Sequence, residues 1–175
     1  LQFVRDDDKQ LVQLRTAGFS FNRLAPYEGF DKYLPEIRDA WITYCSLANP
    51  IKVQAIQLRY INRIFLPLEN GGLDLDNYFK KGPRLPEDGN LTFSGFLLQN
   101  QAIENSTGYV VTTVLTTESP EGGKLPVIFD NAARANLDAE PGDWTTLEST
   151  LRGLRSLKNR VFTGILEDKC LNLFR

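Results

Sequence analysis

The stretch "LRYINRIFLP", residues 58–67, decides the fold of this chain because it alternates in the manner of a long β-strand. Successive side chains of a strand point to opposite faces of a sheet. The more apolar face carries Leu58, Tyr60, Asn62 and Ile64. The other face carries Arg59, Ile61, Arg63 and Phe65. We therefore predict a strand over residues 51–66 with an amide inside its apolar row and two arginines behind it.

The residues before this strand predict a hairpin, a third strand and a helix. Two short alternating runs in residues 1–14 flank Asp6, Asp7 and Asp8, which suit an exposed turn. "GFSFNRL" (residues 18–24) is the third strand. Apolar residues then recur at helical spacing from Phe30 to Cys45, with Asp31 as the expected cap, Pro35 in the first turn and Asn49-Pro50 at the end.

The residues after it predict a long surface loop over 67–90, with one helical turn near Leu75 to Lys80, and then three strands. Their β-branched and aromatic residues favour strands. The three segments are "LTFSGFLLQNQ", "GYVVTTVLTT" and "KLPVIFDNAARA".

A long terminal helix is expected to follow, capped by Asp143 or Thr145. Its apolar stripe extends from Trp144 to Leu171, which predicts one helix of about 45 Å. Gly153 and Gly164 weaken an isolated helix, so we expect them to permit close packing on the sheet.

This order of elements predicts an α+β fold: an antiparallel sheet with two main helices packed on one face, the longer one C-terminal. The β-α-β-β-β-β-α core resembles the TBP-like and helix-grip arrangements, an analogy that does not fix function. A chain of 175 residues is most simply one domain, here residues 1–175.

The composition narrows the classes of function. A formal net charge of -2 disfavours nucleic acid and anionic membranes as partners. The absence of histidine removes His-based catalysis and His metal ligands, and Cys45 and Cys170 are too few for a structural zinc site. We expect two reduced thiols, no metal and no cofactor. No run approaches the roughly 20 apolar residues that span a bilayer, so we expect a cytoplasmic protein.

An Asn-Arg pair occurs three times, in "FSFNRLAPY", "LRYINRIFLP" and "LRSLKNRVFTGIL". With "FSGFLLQ" and the ending "LEDKCLNLFR", these contexts resemble an uncharacterised, sporadically distributed family of bacterial proteins over essentially the whole chain. The family has no established activity, so the resemblance implies a fold and no chemistry. Its members begin with an additional strand and helix, so the resemblance leads us to expect a further N-terminal segment here.

The residues of this pattern are our candidates for a polar network or a binding site. They are Asn22, Arg23, Arg59, Asn62, Arg63, Asp130, Asn159 and Arg160. As a network, Asn62 bonds Asn159 across the layers, Asn22 caps a strand end or bonds the 25–29 turn, and the arginines either pair with acids such as Asp130 or lie exposed. As a site, the arginine forks bind a carboxylate or phosphate.

Three classes of function remain. The first is a non-catalytic interaction or regulatory module that binds another protein or forms a homo-oligomer, since no catalytic constellation is visible. The alternative is a protein that binds an anionic small molecule in a cleft between sheet and helix. An enzyme using a carboxylate or lysine ranks third, because nothing singles out a pair of residues.

Overall fold

The computed structural model of the chain distributes its strands and helices over two units. Unit 1 comprises Leu1–Val53 and Asp138–Thr146, and unit 2 comprises Gln54–Leu137 and Leu147–Arg175. The residues that the structure describes are 1–5, 7–15, 18–68, 73–80, 82, 90–91 and 94–174. That residues 1–175 form one domain stays a prediction.

Unit 1 contains a three-stranded antiparallel sheet and helix α1. The strands are β1 (Gln2–Val4), β2 (Gln10–Arg15) and β3 (Gly18–Arg23), in the order β1-β2-β3, and α1 spans Phe30–Ala48. The predicted hairpin and third strand are confirmed, although Asp6 lies outside the described residues. Phe19 of β3 packs edge-on against Trp41 of α1, with ring centroids 5.7 Å apart.

The ends of α1 agree with the prediction only at the C-terminus. Asn49 ends the helix in the left-handed region at φ 44°, as its position before proline indicates. At the other end Gly29, at φ 113°, precedes the helix, so the assignment of the cap to Asp31 is wrong. A glycine reaches this conformation at no steric cost, which lets the helix begin at Phe30. Pro35 therefore lies in the second turn.

Unit 2 is built on a four-stranded antiparallel sheet, whose outermost residues Val53, Asp138 and Ala139 fall in unit 1. The sheet consists of β4 (Val53–Pro67), β5 (Leu97–Ile103), β6 (Val110–Thr117) and β7 (Lys124–Ala139), and its order is β4-β7-β6-β5. Helix α2 spans Trp144–Ile165, with its first three residues in unit 1, and a short α3 spans Asp168–Leu171. Two single 3-10 turns, Leu75–Asn77 and Asn172–Phe174, complete the described elements.

The α+β class, the antiparallel pairing and the C-terminal helix are thus confirmed. The strands form two sheets, a division that the order of elements does not reveal. Each main helix has its own sheet, because α1 packs on β3 in unit 1 and α2 packs on the four-stranded sheet in unit 2.

The core of unit 2 lies between α2 and one face of its sheet, which we call the inner face. It contains two apolar clusters. The first includes Ile64, Leu66, Phe79, Phe129 and Leu166, and Phe162 of α2 packs against it. The second consists of Val111, Ala133, Ala135, Leu154 and Leu157. Both clusters join strands to α2, so they hold the helix on the sheet.

The prediction of one terminal helix of about 45 Å is wrong, because α2 has 22 residues, or about 33 Å, and ends at Ile165. At this point, residues of the segment 75–80 form hydrogen bonds with the backbone groups that would otherwise continue the helix. Lys80 donates its amide to the Ile165 carbonyl at 2.9 Å, and the Glu167 amide donates to the Tyr78 carbonyl at 3.0 Å. Leu166, which is fully buried, forms a bridge with Phe79 instead of another helical turn.

The predicted helical turn near Leu75 is confirmed as the 3-10 turn Leu75–Asn77, with Asp74 accepting a bond from the Asp76 amide at 3.1 Å. Much of the remaining loop prediction, including residues 69–72 and 83–89, lies outside the described residues.

The two helix glycines differ in their surroundings. A Cβ on Gly153 would lie 3.1 Å from Cε2 of Tyr109, so the expected close packing is present there. Gly164 has open space around it.

Because Phe79 is 1% exposed within the first cluster, we expect Phe79→Ala to lower the free energy of unfolding of unit 2 by about 3–5 kcal/mol. Phe65→Ala is the matched control, since Phe65 is 38% exposed, and it should cost about 1 kcal/mol or less. Urea unfolding followed by circular dichroism measures both. Equal losses would show that the 75–80 segment does not belong to the core.

Candidate functional site

The alternation predicted for "LRYINRIFLP" is present in β4. Ile64 and Leu66 are buried on the inner face, and Asn62 is half-buried beside them. Arg59 and Arg63 are exposed on the opposite side, which we call the outer sheet face. The eight candidate residues therefore lie on both faces of this sheet and elsewhere.

On the outer sheet face, Arg59 of β4 pairs with Asp130 of the neighbouring β7. Its Nε lies 2.9 Å from Oδ1 of Asp130, and its Nη2 lies 2.5 Å from Oδ2. This is the two-pronged geometry in which a guanidinium holds a carboxylate. The pairing is the one that the sequence suggested, and it fills the fork of Arg59.

Arg63 is held by two acidic side chains. Its Nε lies 2.7 Å from Glu118, and its Nη1 lies 3.2 Å from Glu121. The guanidinium also lies over the ring of Phe65, 4.7 Å from the centroid. The stacking and the two carboxylates favour one orientation of this exposed arginine.

Most other residues of the outer sheet face are apolar or uncharged, but Arg134 of β7 is also exposed there and donates its Nε–H to Oδ1 of Asn136 at 3.3 Å. Its large exposed side chains belong to the two edge strands: Ile61 and Phe65 on β4, and Leu97 and Ile103 on β5. Ile61, Leu97 and Ile103 are 61%, 71% and 66% exposed. Half-buried residues of β6 and β7, including Val114 and Ile128, lie in the strands between them. The face thus combines exposed apolar groups with the ion pairs of Arg59 and Arg63 and with Arg134.

The inner face carries a polar layer between the two apolar clusters. Asn131 of β7 is fully buried, and its strand partner Thr113 of β6 is 4% exposed. Nδ2 of Asn131 donates to the backbone carbonyl of Lys158 on α2 at 3.0 Å. Among the described residues, its Oδ1 has no hydrogen-bond partner. Asn62 belongs to the same layer and donates to the Phe129 carbonyl at 3.4 Å.

Lys158 is a buried lysine at the edge of this layer. It is 8% exposed, and its Nζ lies 3.6 Å from the centroid of the Tyr60 ring. Burial, together with the nearby charge of Arg155, lowers the pKa of Lys158 to about 8. The ring attracts the ammonium but does not offset the cost of removing it from water.

The other candidates lie apart from both faces of β4. In unit 1, Asn22 donates to the Leu11 carbonyl at 3.2 Å, and Arg23 pairs with Asp7 at 3.1 Å. Asn22 thus bonds across to β2, and not to the 25–29 turn. In unit 2, the exposed Arg160 of α2 pairs with Glu104.

The structure therefore does not gather the eight candidates into one site. The expected bond between Asn62 and Asn159 is not formed, because Asn62 turns to the Phe129 carbonyl and Asn159 is exposed on α2. The reason is geometric: Asn62 faces the helix from the sheet, whereas Asn159 lies on a side of α2 that does not face the sheet. Whether any of these residues serves a ligand stays a prediction.

Sequence reasoning missed three members of the polar layer: Thr113, Asn131 and Lys158. A signal for Asn131 was present, since it alternates with Phe129 and Ala133 in "IFDNAARA". Lys158 lies four residues after Leu154 and three before Val161, which places it on the apolar stripe of α2, where a charged residue is unusual.

Neither metal binding nor chemistry at the Cys170 thiol has support within the described part of the chain. No group of three or more His, Cys, Asp or Glu residues there is arranged to hold a metal ion. Both cysteines are free, and burial raises the pKa of the Cys170 thiol to about 11, so this thiol is protonated near neutral pH.

The helices in the described ranges include none of the length and apolarity needed to cross a membrane.

Comparisons with models of protein families, with curated proteins and with solved structures found no match for this chain.

We expect Lys158→Met to stabilise unit 2 at pH 7 by about 1–3 kcal/mol, because it removes a charge from the core and keeps the apolar stem. The wild type should also gain stability between pH 8 and about 10.5, where the unfolded chain holds the proton that the folded lysine has lost. Lys158→Met should lack this gain. Urea unfolding at a series of pH values measures both effects.

Lys124→Met is the matched control, since Lys124 is exposed on β7 of the same sheet. It should follow the wild-type profile over the whole pH range. If Lys158→Met and the wild type show the same pH dependence, the ammonium of Lys158 is not desolvated in the folded chain.

Proposed function

We propose that this protein is a non-catalytic interaction module and that its outer sheet face binds another protein. The observation that carries the proposal is the composition of that face, where exposed Ile61, Phe65, Leu97 and Ile103 accompany two arginines. Aromatic residues and arginine are enriched at protein interfaces. Large exposed apolar side chains on one uncovered sheet face, with half-buried apolar residues in the strands between them, favour a partner.

The state of the arginines supports this proposal over binding of an anionic small molecule. Arg59, Arg63, Arg160 and Arg23 are each paired with a carboxylate of the same chain. A carboxylate or phosphate ligand would have to displace Asp130 from a bidentate contact to reach Arg59. A protein partner needs no such displacement, since it can pack on the neutralised pairs and the apolar residues around them.

The proposal also includes a cytoplasmic location and membership in a bacterial family. Two free cysteines favour a reducing compartment, which supports a cytoplasmic location. The Asn-Arg contexts support membership in the uncharacterised bacterial family that they resemble, and that membership is compatible with a protein without catalytic groups.

The test compares Ile61→Glu/Phe65→Glu with wild type as affinity baits in a lysate of the source cells, using quantitative mass spectrometry. We expect the double variant to lose the partner that the wild type retains, because two carboxylates disrupt the apolar part of the face. Ile42→Glu is the control: Ile42 is 54% exposed on α1 of unit 1, and this variant should keep the partner.

Two results would contradict the proposal. The first is a partner that the double variant retains at wild-type level. The second is calorimetric binding of phosphate or citrate that Arg59→Ala abolishes, which would favour the anion-binding alternative.

A further inference from the structure

Strand β5 is an edge strand whose own residues lack the charges and proline that usually protect such an edge. It ends the sheet order β4-β7-β6-β5, and six of its seven residues are exposed. Its sequence "LLQNQAI" has no charge, no proline and no glycine. Natural edge strands are commonly blunted by charged residues or proline. The opposite edge, β4, has this protection in Arg59, Arg63 and Pro67.

The hydrogen bonds around β5 identify which backbone groups are free. Glu104 donates its amide to the Tyr109 carbonyl at 2.8 Å, and the Thr117 amide donates to the Phe96 carbonyl at 3.3 Å. In an antiparallel pair every second residue bonds its neighbour. The even-numbered residues of β5 therefore bond β6. The amides and carbonyls that point to the free edge belong to Leu97, Gln99, Gln101 and Ile103.

The β5 sequence is self-complementary about Asn100. In an antiparallel pair of two β5 strands with a two-fold axis at Asn100, Leu97 lies opposite Ile103, Leu98 opposite Ala102, and Gln99 opposite Gln101. Apolar residues thus meet apolar residues, and amides meet amides. The register also pairs odd-numbered residues with odd-numbered residues, which are the ones with free backbone groups.

We propose that two copies of this chain associate through their β5 edges and form a continuous eight-stranded antiparallel sheet. About eight backbone hydrogen bonds would form across the axis, two for each pair of odd-numbered residues. The facing glutamine amides would add side-chain bonds on the outer sheet face. A second copy fits this edge because its own β5 presents matching side chains and free backbone groups in the register that the two-fold axis imposes.

This inference is independent of the outer-face proposal. A two-fold axis perpendicular to the sheet keeps both outer sheet faces on the same side. The dimer would therefore present two copies of that face and bind a partner bivalently.

The first test uses charge at the facing positions Gln99 and Gln101. Gln99→Lys/Gln101→Lys places like charges opposite each other twice, and we expect self-association to weaken about 10-fold or more. Gln99→Lys/Gln101→Glu places opposite charges there, and we expect it to associate about as tightly as wild type. Sedimentation velocity over a wide range of protein concentration measures all three proteins, with circular dichroism as the check on folding.

The second test locates the axis by oxidation in a Cys45→Ser background. Residues facing each other in a non-hydrogen-bonded pair have Cα atoms about 4.5 Å apart, within disulfide range, so Asn100→Cys should form a disulfide-linked dimer. Ala102→Cys is the matched control. Its two copies would lie four residues apart along the strands, about 14 Å, and should stay unlinked.

The proposal is overturned if the wild type is a monomer at every concentration. It is equally overturned if the like-charge and opposite-charge variants associate with equal affinity, or if Ala102→Cys links as readily as Asn100→Cys. Either of the last two results would place the contact on another surface or in another register.

Discussion

The packing of α2 against the inner face of the four-stranded sheet is the constraint on which the rest of unit 2 depends. Phe129 of β7 stacks on Phe162 of α2, with ring centroids 5.3 Å apart and planes 11° apart. The amide of Asn131 binds the Lys158 carbonyl one strand repeat further along β7. Because side chains of a strand alternate, these contacts leave the intervening Asp130 on the outer sheet face.

The polar layer accounts for the amide of Asn62 within the apolar row of β4. Asn62, Thr113 and Asn131 separate two apolar clusters, and Lys158 completes the layer from α2. A wholly apolar interface would allow α2 to slide along the sheet with little change in burial. A buried amide bonded to one helix carbonyl favours a single position, at the cost of an unpaired Oδ1 and a desolvated ammonium.

The periodicity of the sequence was sufficient to predict the local elements and the two faces of β4. It did not predict the features that depend on contacts between residues distant in the chain. The terminal helix stops at Ile165 because backbone groups of residues 78 and 80, far away in the chain, bond its end. The Asn-Arg pairs looked like one network because the dipeptide recurs, but neighbouring residues on a strand face opposite sides. Asn62 and Arg63 are therefore on different surfaces.

Helix α2 covers the inner face of the four-stranded sheet and leaves the outer sheet face and the β5 edge uncovered. The outer sheet face keeps its apolar residues among paired arginines, and the β5 edge keeps unpaired backbone groups on uncharged residues. We therefore propose that these uncovered parts of the sheet are the surfaces through which unit 2 associates.

The most direct measurement is residue-resolved amide hydrogen exchange of β5 by NMR at low and high protein concentration. The account predicts that the amides of Leu98, Asn100 and Ala102 are protected at both concentrations by their bonds to β6. Those of Leu97, Gln99, Gln101 and Ile103 should gain protection only at high concentration. Fast exchange of these four amides at every concentration would contradict it.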